Sequence, residues 1–305
     1  MSGFKEKKHR SGKTAGLIIR GILLAFFSAG LLLGLYQCIR TVCSNEAARR
    51  AYSQLSSSIQ NTGGTVTENT AEEDSGSPET GAEDRKDKTG DRDDKPGAHA
   101  GPAGDTERIR QQSMDFTALQ KINPGIAAWI RAEEIGIDYP VMYTDNNTFY
   151  LTHLYDGTEN PNGALFIDCN NLEPFRDRNT AVYGHNMQSG AMFHALNGYQ
   201  SQEYYGKCPT MMLYTPEGDY LIELVSGTVE NGDTGFVRFQ FESEEEFFRY
   251  TDKLRKRSTF QSEAELQSGD RLISMCTCTS DSPDNLRYML VGKLTELYEG
   301  ESTAR

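Results

Sequence analysis

The sequence predicts a mainly β fold, a mixed β-barrel with an N-terminal helix and a helix inserted in the long connection before a cysteine-bearing strand. Eight short segments are rich in β-branched or aromatic residues and are separated by Gly, Pro, Asn or Asp, as the strands of a barrel are. These segments are residues 127–130, 137–141, 163–167, 180–183, 211–214, 220–229, 271–275 and 287–297. Residues 241–257, between the sixth and seventh segments, instead have helical spacing.

Both helices are predicted from their ends as well as from their spacing. Residues 108–119 form the expected N-terminal helix, and Asn123-Pro124 would stop it, because the residue before a proline disfavours helical backbone. The inserted helix starts with the acidic run 242–246, which is favourable at the positive end of a helix dipole. Its larger side chains recur on one face, at Phe247, Phe248, Tyr250, Thr251 and Leu254. We therefore expect residues 241–257 to be an amphipathic helix.

Length and charge limit the number of domains and the classes of partner. The chain has 305 residues, and the part that looks foldable is one globular domain, residues 107–299, followed by a short tail, 300–305. The formal net charge is −13, and the folded part has no run of Lys and Arg interleaved with aromatic residues. A protein that neutralises phosphates needs a basic face, so we expect no nucleic-acid partner.

The N-terminal region predicts a membrane anchor. Residues 16–39 are almost wholly apolar and reach the roughly 20 residues that a helix needs to cross a bilayer. Basic residues are concentrated before this stretch, so residues 1–15 are expected in the cytoplasm, and the folded domain outside the cell. A cleaved signal peptide is the alternative, but the run is longer than a usual signal and no Ala-X-Ala site follows it. The lipid bilayer is therefore a predicted partner.

Residues 40–106 predict a disordered extracellular linker. Most of this segment is Ser, Gly, Thr, Asp and Glu, although a polar helix could continue over 45–52. Such a composition cannot bury enough apolar surface to offset the entropy of ordering. The linker would act either as a spacer that lets an anchored domain work within a cell wall or as a stalk with no specific role. A chain that starts near Asp105 is accordingly expected to fold by itself.

A cysteine, a histidine and an arginine are the candidate catalytic residues. Cys278 follows a predicted strand, Arg287 starts the next strand nine residues later, and His185 follows a short apolar strand. A cysteine nucleophile reacts as the thiolate and needs a nearby proton acceptor, which an imidazole provides. A guanidinium can stabilise the negative charge that develops in acyl transfer. These residues predict acyl transfer at a cysteine.

Other chemistry is not expected. Cys276-Thr277-Cys278 lacks the Cys-X-X-Cys spacing of structural zinc sites, so we predict no metal. No glycine-rich phosphate loop occurs, so we predict no nucleotide or other cofactor. Among six cysteines, we expect one reactive thiol and one buried thiol rather than disulfides. Cys276 is expected on the opposite face of the strand from Cys278, so that only Cys278 meets His185.

Five short motifs in the second half of the chain, together with the cysteine and the arginine, resemble class B sortases in order and spacing. They are residues 122–130 (INPGIAAWI), 137–141 (IDYPV), 149–151 (FYL), 163–168 (GALFID) and 183–187 (YGHNM). The family's Thr-Leu-X-Thr-Cys reads here as Ser-Met-Cys-Thr-Cys, residues 274–278, and this is a departure from the family pattern.

The resemblance implies roles for individual residues. Cys278 would be the nucleophile, His185 the proton-transfer group and Arg287 the group that binds the oxyanion and the substrate backbone. Thr277 and Asn186 would contact substrate, although Thr277 reads almost equally well as an ordinary strand residue. Asp281 is a candidate for orienting His185.

The resemblance also implies an activity. A membrane-anchored cysteine transpeptidase would cleave an Asn-Pro-X-Thr-X-like sorting signal of secreted proteins and transfer the acyl group to an amine of the peptidoglycan cross-bridge. A first alternative is a pilin-polymerising enzyme that uses a pilin lysine as the amine. A second alternative, suggested by the altered Ser-Met-Cys-Thr-Cys motif, is a non-catalytic surface module of the same fold.

Overall fold

The computed structural model describes residues 6–60, 114–233, 235–278 and 285–297, with side chains for 20–59, 114–233, 235–277 and 285–297. Four α-helices lie in these ranges: α1 Glu6–Gln60, α2 Phe116–Ile122, α3 Gln202–Lys207 and α4 Glu244–Arg257. The strands are β1 Ile126–Ala132, β2 Ile137–Met142, β3 Leu165–Ile167, β4 Asn179–His185, β5 Thr210–Thr215, β6 Gly218–Asn231, β7 Arg271–Cys278 and β8 Leu286–Glu296. Short 3-10 helices cover Glu133–Ile135, Phe149–Leu151 and Phe193–Gln200.

The strands close into a barrel in the order β1-β2-β3-β4-β7-β8-β6-β5, with β5 pairing back to β1. The pairs β2–β3 and β4–β7 are parallel, and the other pairs are antiparallel. Closure leaves no free sheet edge. The predicted mixed barrel, its N-terminal helix and the helix inserted before the cysteine-bearing strand are confirmed.

Alternate side chains of β7 enter two apolar clusters. Ile273 and Met275 belong to the main core of the barrel, whereas Leu272 and Cys276 belong to a smaller cluster with Phe247 of α4. The period of two along a strand produces this division, and it makes α4 the cover of one outer face. The helix α4 therefore covers the outer face of β7 over Leu272 and Cys276.

The helix ends have clear local causes. In α4 the Ser243 side chain accepts a hydrogen bond from the Glu246 amide, so the helix starts at Glu244 rather than at the predicted residue 241. In α2 the Asp115 carboxylate accepts from the Ala118 amide, and the helix ends before Asn123. The prediction for 108–119 is therefore shifted toward the C-terminus in its described part, and residues 108–113 lie outside the described ranges.

The predicted linker boundary at residue 40 is wrong, because α1 continues without a break to Gln60. One described helix, α1, is long and apolar enough to cross a membrane. Its later part is buried against the barrel through Ala48, Tyr52, Leu55 and Ile59. These four positions are spaced by four, three and four residues, which is the stripe of an amphipathic helix. The folded unit therefore includes part of the predicted linker, and the remainder, 61–106, lies outside the described residues.

A chain truncated to begin at Asp105 is expected to be less stable than one that begins at Ser44. The truncation removes Tyr52, Leu55 and Ile59 from the core, and each such side chain contributes about 1.5 to 3 kcal/mol when fully buried, partly offset by the entropy of ordering the helix. We expect the shorter chain to melt about 5 to 10 °C lower, as measured by circular dichroism. Equal melting temperatures would show that the helix contributes nothing to the folded unit.

Candidate active site

The predicted nucleophile and the predicted histidine lie side by side on neighbouring parallel strands. The β4–β7 ladder starts with Asn179 beside Leu272, and its last pair joins His185 to Cys278. Each residue is the last of its strand, so both lie at the same end of the barrel. Residues distant in sequence meet here because the two strands are parallel and in this register.

Arg287 lies on the strand on the other side of β7. The antiparallel β7–β8 register includes Cys276 opposite Met289, and the same register two residues further brings Arg287 level with Cys278. The side-chain hydroxyl of Thr277 supports this alignment, because it accepts a 3.0 Å hydrogen bond from the Tyr288 amide. Three adjacent strands, β4, β7 and β8, thus bring the three predicted catalytic residues to one end of the barrel.

A backbone carbonyl orients the histidine. His185 is half-buried, and its Nε2 lies 2.7 Å from the carbonyl oxygen of Leu151. A carbonyl oxygen can only accept, so Nε2 carries the proton and Nδ1 is the basic nitrogen of the neutral ring. Sequence reasoning missed Leu151 in this role, because a main-chain acceptor has no side-chain signature. Asp281, the predicted orienting acid, lies outside the described residues.

The Arg287 side chain lies against Gly232, and its cross-strand neighbour Glu230 is paired with another arginine. Its Nε is buried and has no hydrogen-bond partner among the described residues. The cross-strand neighbour, Glu230, is buried and forms an ion pair with Arg257 of α4, at 3.0 Å between Nη2 and Oε1. A Cβ atom on Gly232 would overlap the Arg287 Nε, so this glycine provides space for the arginine. Arg287 forms no ion pair with any part of the chain whose side chains are described.

Thr277 is buried between β7 and β8, next to the predicted nucleophile. Its side chain is fully buried, and its hydroxyl is engaged by the backbone of β8 next to Arg287. The hydroxyl joins β7 to β8 just beyond Cys276, the last residue of their ladder. Burial also raises the pKa of the neighbouring Tyr288 to about 12, so this phenol stays neutral and hydrogen-bonded to Thr259. This hydrogen bond fits the reading of Thr277 as a strand residue that aligns β7 with β8. Contact of Thr277 with substrate stays a prediction.

Asn186 follows His185 and is linked to the second histidine of this region. Its Oδ1 accepts a 2.7 Å hydrogen bond from Nδ1 of His194, and its backbone forms a bridge with Met192. His194 is exposed and lies in the 3-10 helix Phe193–Gln200, where it holds the turn that follows the active-site histidine. Contact of Asn186 with substrate stays a prediction.

The expectation that Cys276 and Cys278 lie on opposite faces of the strand is wrong. Side chains two residues apart lie on the same face of a strand, so Cys276 and Cys278 differ only in their position along β7. Cys276 pairs with Tyr183 and Met289 inside the ladder and is fully buried beneath α4. Cys278 is one pair further on, beside His185. Position along the strand therefore distinguishes the two cysteines, because only Cys278 pairs with His185.

The remaining cysteines and acids show no second centre in the described part of the chain. The described side chains Cys38, Cys43, Cys169, Cys208 and Cys276 are free thiols. Within residues 20–59, 114–233, 235–277 and 285–297, no group of three or more His, Cys, Asp or Glu side chains is arranged to hold a metal ion. The absence of a metal and of other cofactors stays a prediction.

Comparison with known proteins identifies relatives of the barrel. The chain matches no family model. It is 29% identical over 187 residues to sortase B of Listeria monocytogenes, a match that covers 61% of this chain and 75% of that protein. The solved structure of sortase B from Listeria monocytogenes is 30% identical, has a TM-score of 0.52, and is matched over 59% of this chain and 99% of its own length. A solved sortase B complexed with Gly3 is 25% identical with a TM-score of 0.57, over 60% of this chain and 86% of that one.

These relatives are matched over most of their length. In this chain, the closed barrel carries the cysteine and the histidine in the last pair of the β4–β7 ladder. The chain belongs to the class B sortases, and it is a cysteine transpeptidase.

Proposed function

We propose that this protein is a membrane-anchored class B sortase in which Cys278 carries the acyl intermediate, His185 transfers protons and Arg287 binds the oxyanion. The observation that carries this proposal is the pairing of His185 with Cys278 at the end of the parallel β4–β7 ladder. Arg287, from the neighbouring β8, is level with that pair. No other histidine in the described strands pairs with a cysteine.

The first half-reaction forms a thioester. The Cys278 thiol gives its proton to the basic Nδ1 of His185, and the thiolate attacks the carbonyl carbon of the scissile peptide bond. The carbonyl π electrons move to oxygen, and the guanidinium of Arg287 stabilises that negative charge. When the oxyanion collapses, the C–N bond breaks, and the imidazolium protonates the leaving amine. The products are a thioacyl enzyme and a released peptide.

The second half-reaction reverses these roles with a new amine. A neutral acceptor amine attacks the thioester carbon and loses a proton to His185. The Cys278 sulfur leaves as a thiolate and takes that proton back from the imidazolium. A new amide bond replaces the thioester, so no oxidant or cofactor is consumed. The Leu151 carbonyl holds the ring in one tautomer, with Nδ1 as the nitrogen that accepts and returns the proton.

The substrates follow from the family and from the Gly3 complex of a relative. We propose that the donor is an Asn-Pro-X-Thr-X-like sorting signal of a secreted protein, cleaved after Thr. A peptidoglycan cross-bridge amine is the acceptor that we favour, because a related sortase B has been solved with Gly3. A pilin lysine is the alternative acceptor. The non-catalytic surface module is set aside, because the relatives identify the chain as a transpeptidase.

The helix α1 supports anchoring at the membrane. Its apolar part is fully exposed in the structure, as a segment surrounded by lipid would be. We propose residues 16–39 as the span, residues 1–15 as a cytoplasmic tail and the barrel as extracellular.

The proposed activity is tested with a peptide that contains Asn-Pro-X-Thr, with and without triglycine. We expect a product in which Thr is joined to triglycine, and a thioacyl enzyme that accumulates when the amine is absent. Cys276 and Cys278 both lie in the tryptic peptide 272–287, so fragmentation by tandem mass spectrometry must assign the adduct to one of them. An adduct on Cys276 would contradict the proposed nucleophile. Cleavage of other Thr-containing signals but not of this one would contradict the proposed signal alone.

A further inference from the structure

The helix α1 connects the apolar N-terminal segment directly to the barrel. The helix runs unbroken from Glu6 to Gln60, and its side chains pass from fully exposed apolar residues to buried ones after residue 44. Tyr52 and Leu55 are 5% and 3% exposed. Tyr52 packs edge-on against Tyr139 of β2, with ring centroids 5.1 Å apart. One rigid element thus both carries the proposed anchor and contacts the barrel.

Specific polar contacts accompany this packing. The Tyr52 hydroxyl donates to the Gly163 carbonyl at 2.8 Å. The Asn160 amide donates to the Ser44 carbonyl at 3.0 Å, at the first turn beyond the apolar stretch. A few residues further along, the Asn162 amide donates to the Asn45 side-chain oxygen, also at 3.0 Å. Such a set of contacts fixes the helix in register as well as in position.

Asp138 is the strongest of these polar links. One carboxylate oxygen accepts from the indole of Trp129 at 2.6 Å and from Nε of Arg131 at 2.9 Å. The other accepts from the Ser56 hydroxyl of α1 at 2.5 Å. Hydrogen bonds to a charged group are about twice as strong as neutral ones. Asp138 is itself held by residues of β1, and it therefore ties α1 to the barrel.

A cleft of about 610 Å³ lies between the docked helix and the barrel. It is lined by Arg49, Ser53, Asp138 and Met192 among others. Ala48 and Tyr52 of the buried stripe also line this cleft. Leu55 and Ile59 belong to the buried stripe and not to the lining of this cleft.

Both ends of the low-complexity segment 61–113 are attached to the same folded body. The segment leaves α1 just after Ile59, which is 8% exposed, and the chain returns at Phe116, which is also 8% exposed and belongs to the same core. A spacer must connect two bodies that can move apart. The segment 61–113 connects two points of one body.

We propose that docking of residues 44–59 on the barrel, and not the segment 61–113, holds the catalytic domain to the membrane helix. The proposal rests on the membrane anchoring proposed above. Its consequence is that the active site works at a fixed height and orientation above the bilayer, on substrates that come to the membrane surface. The length of the segment 61–113 then does not set the reach of the enzyme.

The test is to cut the full chain within that segment. A recognition sequence for a site-specific protease is inserted after Gly90, and an affinity tag is placed at the N-terminus. After solubilisation in mild detergent, cutting and capture on the tag, we expect more than about nine-tenths of the barrel fragment to be retained. Recovery of the barrel fragment in the flow-through would overturn the proposal.

Two matched variants test whether the docked stripe of α1 is what retains the barrel fragment. Leu55→Asp buries a charge in the contact, so retention after cutting is expected to fall at least about tenfold. Gln54→Asp adds the same charge at the neighbouring exposed position and should leave retention unchanged. Equal retention by both variants would overturn the assignment to this stripe. Sedimentation of the uncut chain with membranes, and its transpeptidase activity, are measured separately, so failure of the anchor or of the enzyme is distinguishable from failure of docking.

Discussion

Cys278→Ala is expected to abolish transpeptidation, whereas Cys276→Ala is expected to retain most of it. Cys278 is beside His185 in the last pair of the β4–β7 ladder, and Cys276 is fully buried beneath α4. Alanine at 278 leaves no group that can form the thioester, so the rate should fall by roughly 10³-fold or more. The measurement is kcat/KM for transfer of an Asn-Pro-X-Thr peptide to triglycine.

Stability serves as the control for this comparison. Cys276→Ala removes a buried sulfur and leaves a small cavity, which costs on the order of 1 kcal/mol and lowers the melting temperature by a few degrees. We therefore expect Cys276→Ala to change stability more than rate, and Cys278→Ala to change rate more than stability. An active Cys278→Ala enzyme, or an inactive but folded Cys276→Ala enzyme, would reverse the assignment.

Arg287→Lys is expected to lower turnover strongly while the fold is unchanged. Lysine keeps the positive charge but loses the planar fork of N–H donors that can bind the oxyanion and the substrate backbone together. Removal of one oxyanion donor typically costs about 10²-fold or more in rate. The expected signature is a fall in kcat that exceeds any rise in KM, because the lost interaction is strongest in the transition state.

Arg249→Lys is the matched control for this substitution. Arg249 forms an exposed i,i+4 ion pair with Glu245 on α4, away from the strand edge. Exposed pairs contribute little, so kcat/KM should change by less than about threefold. If Arg287→Lys behaves like Arg249→Lys, then Arg287 is only a structural cation, and the proposed oxyanion role is lost. Circular dichroism of both variants shows whether the fold is intact.

Several features of the enzyme could be predicted from local sequence. The eight strands of the barrel overlap the β-branched and aromatic segments, because such side chains favour extended backbone and the Gly, Pro, Asn and Asp residues between them favour turns. The inserted helix was equally predictable, since its acidic first turn and apolar stripe act within a few residues. The choice of Cys278, His185 and Arg287 as candidates came from residue type and motif spacing, which are also local.

The stripe of α1 was present in the sequence but was overlooked. Ala48, Tyr52, Leu55 and Ile59 have helical spacing, yet they lie beside a polar segment whose average composition predicts disorder. Averaging over a long window conceals four apolar positions. Their role depends on Asp138 and Tyr139, which are distant in sequence and are brought to α1 only by the fold.

The sequence by itself therefore determined the elements of this protein, their order, and the residue types available for thiol chemistry. Only the tertiary structure decided which neighbours those residues have. The Leu151 carbonyl holds His185, the Thr277 hydroxyl aligns β7 with β8, and α1 is attached to the barrel. The physical reason is that hydrogen bonds to main-chain atoms and contacts across parallel strands join residues far apart in the chain, and these depend on register, which no local pattern encodes.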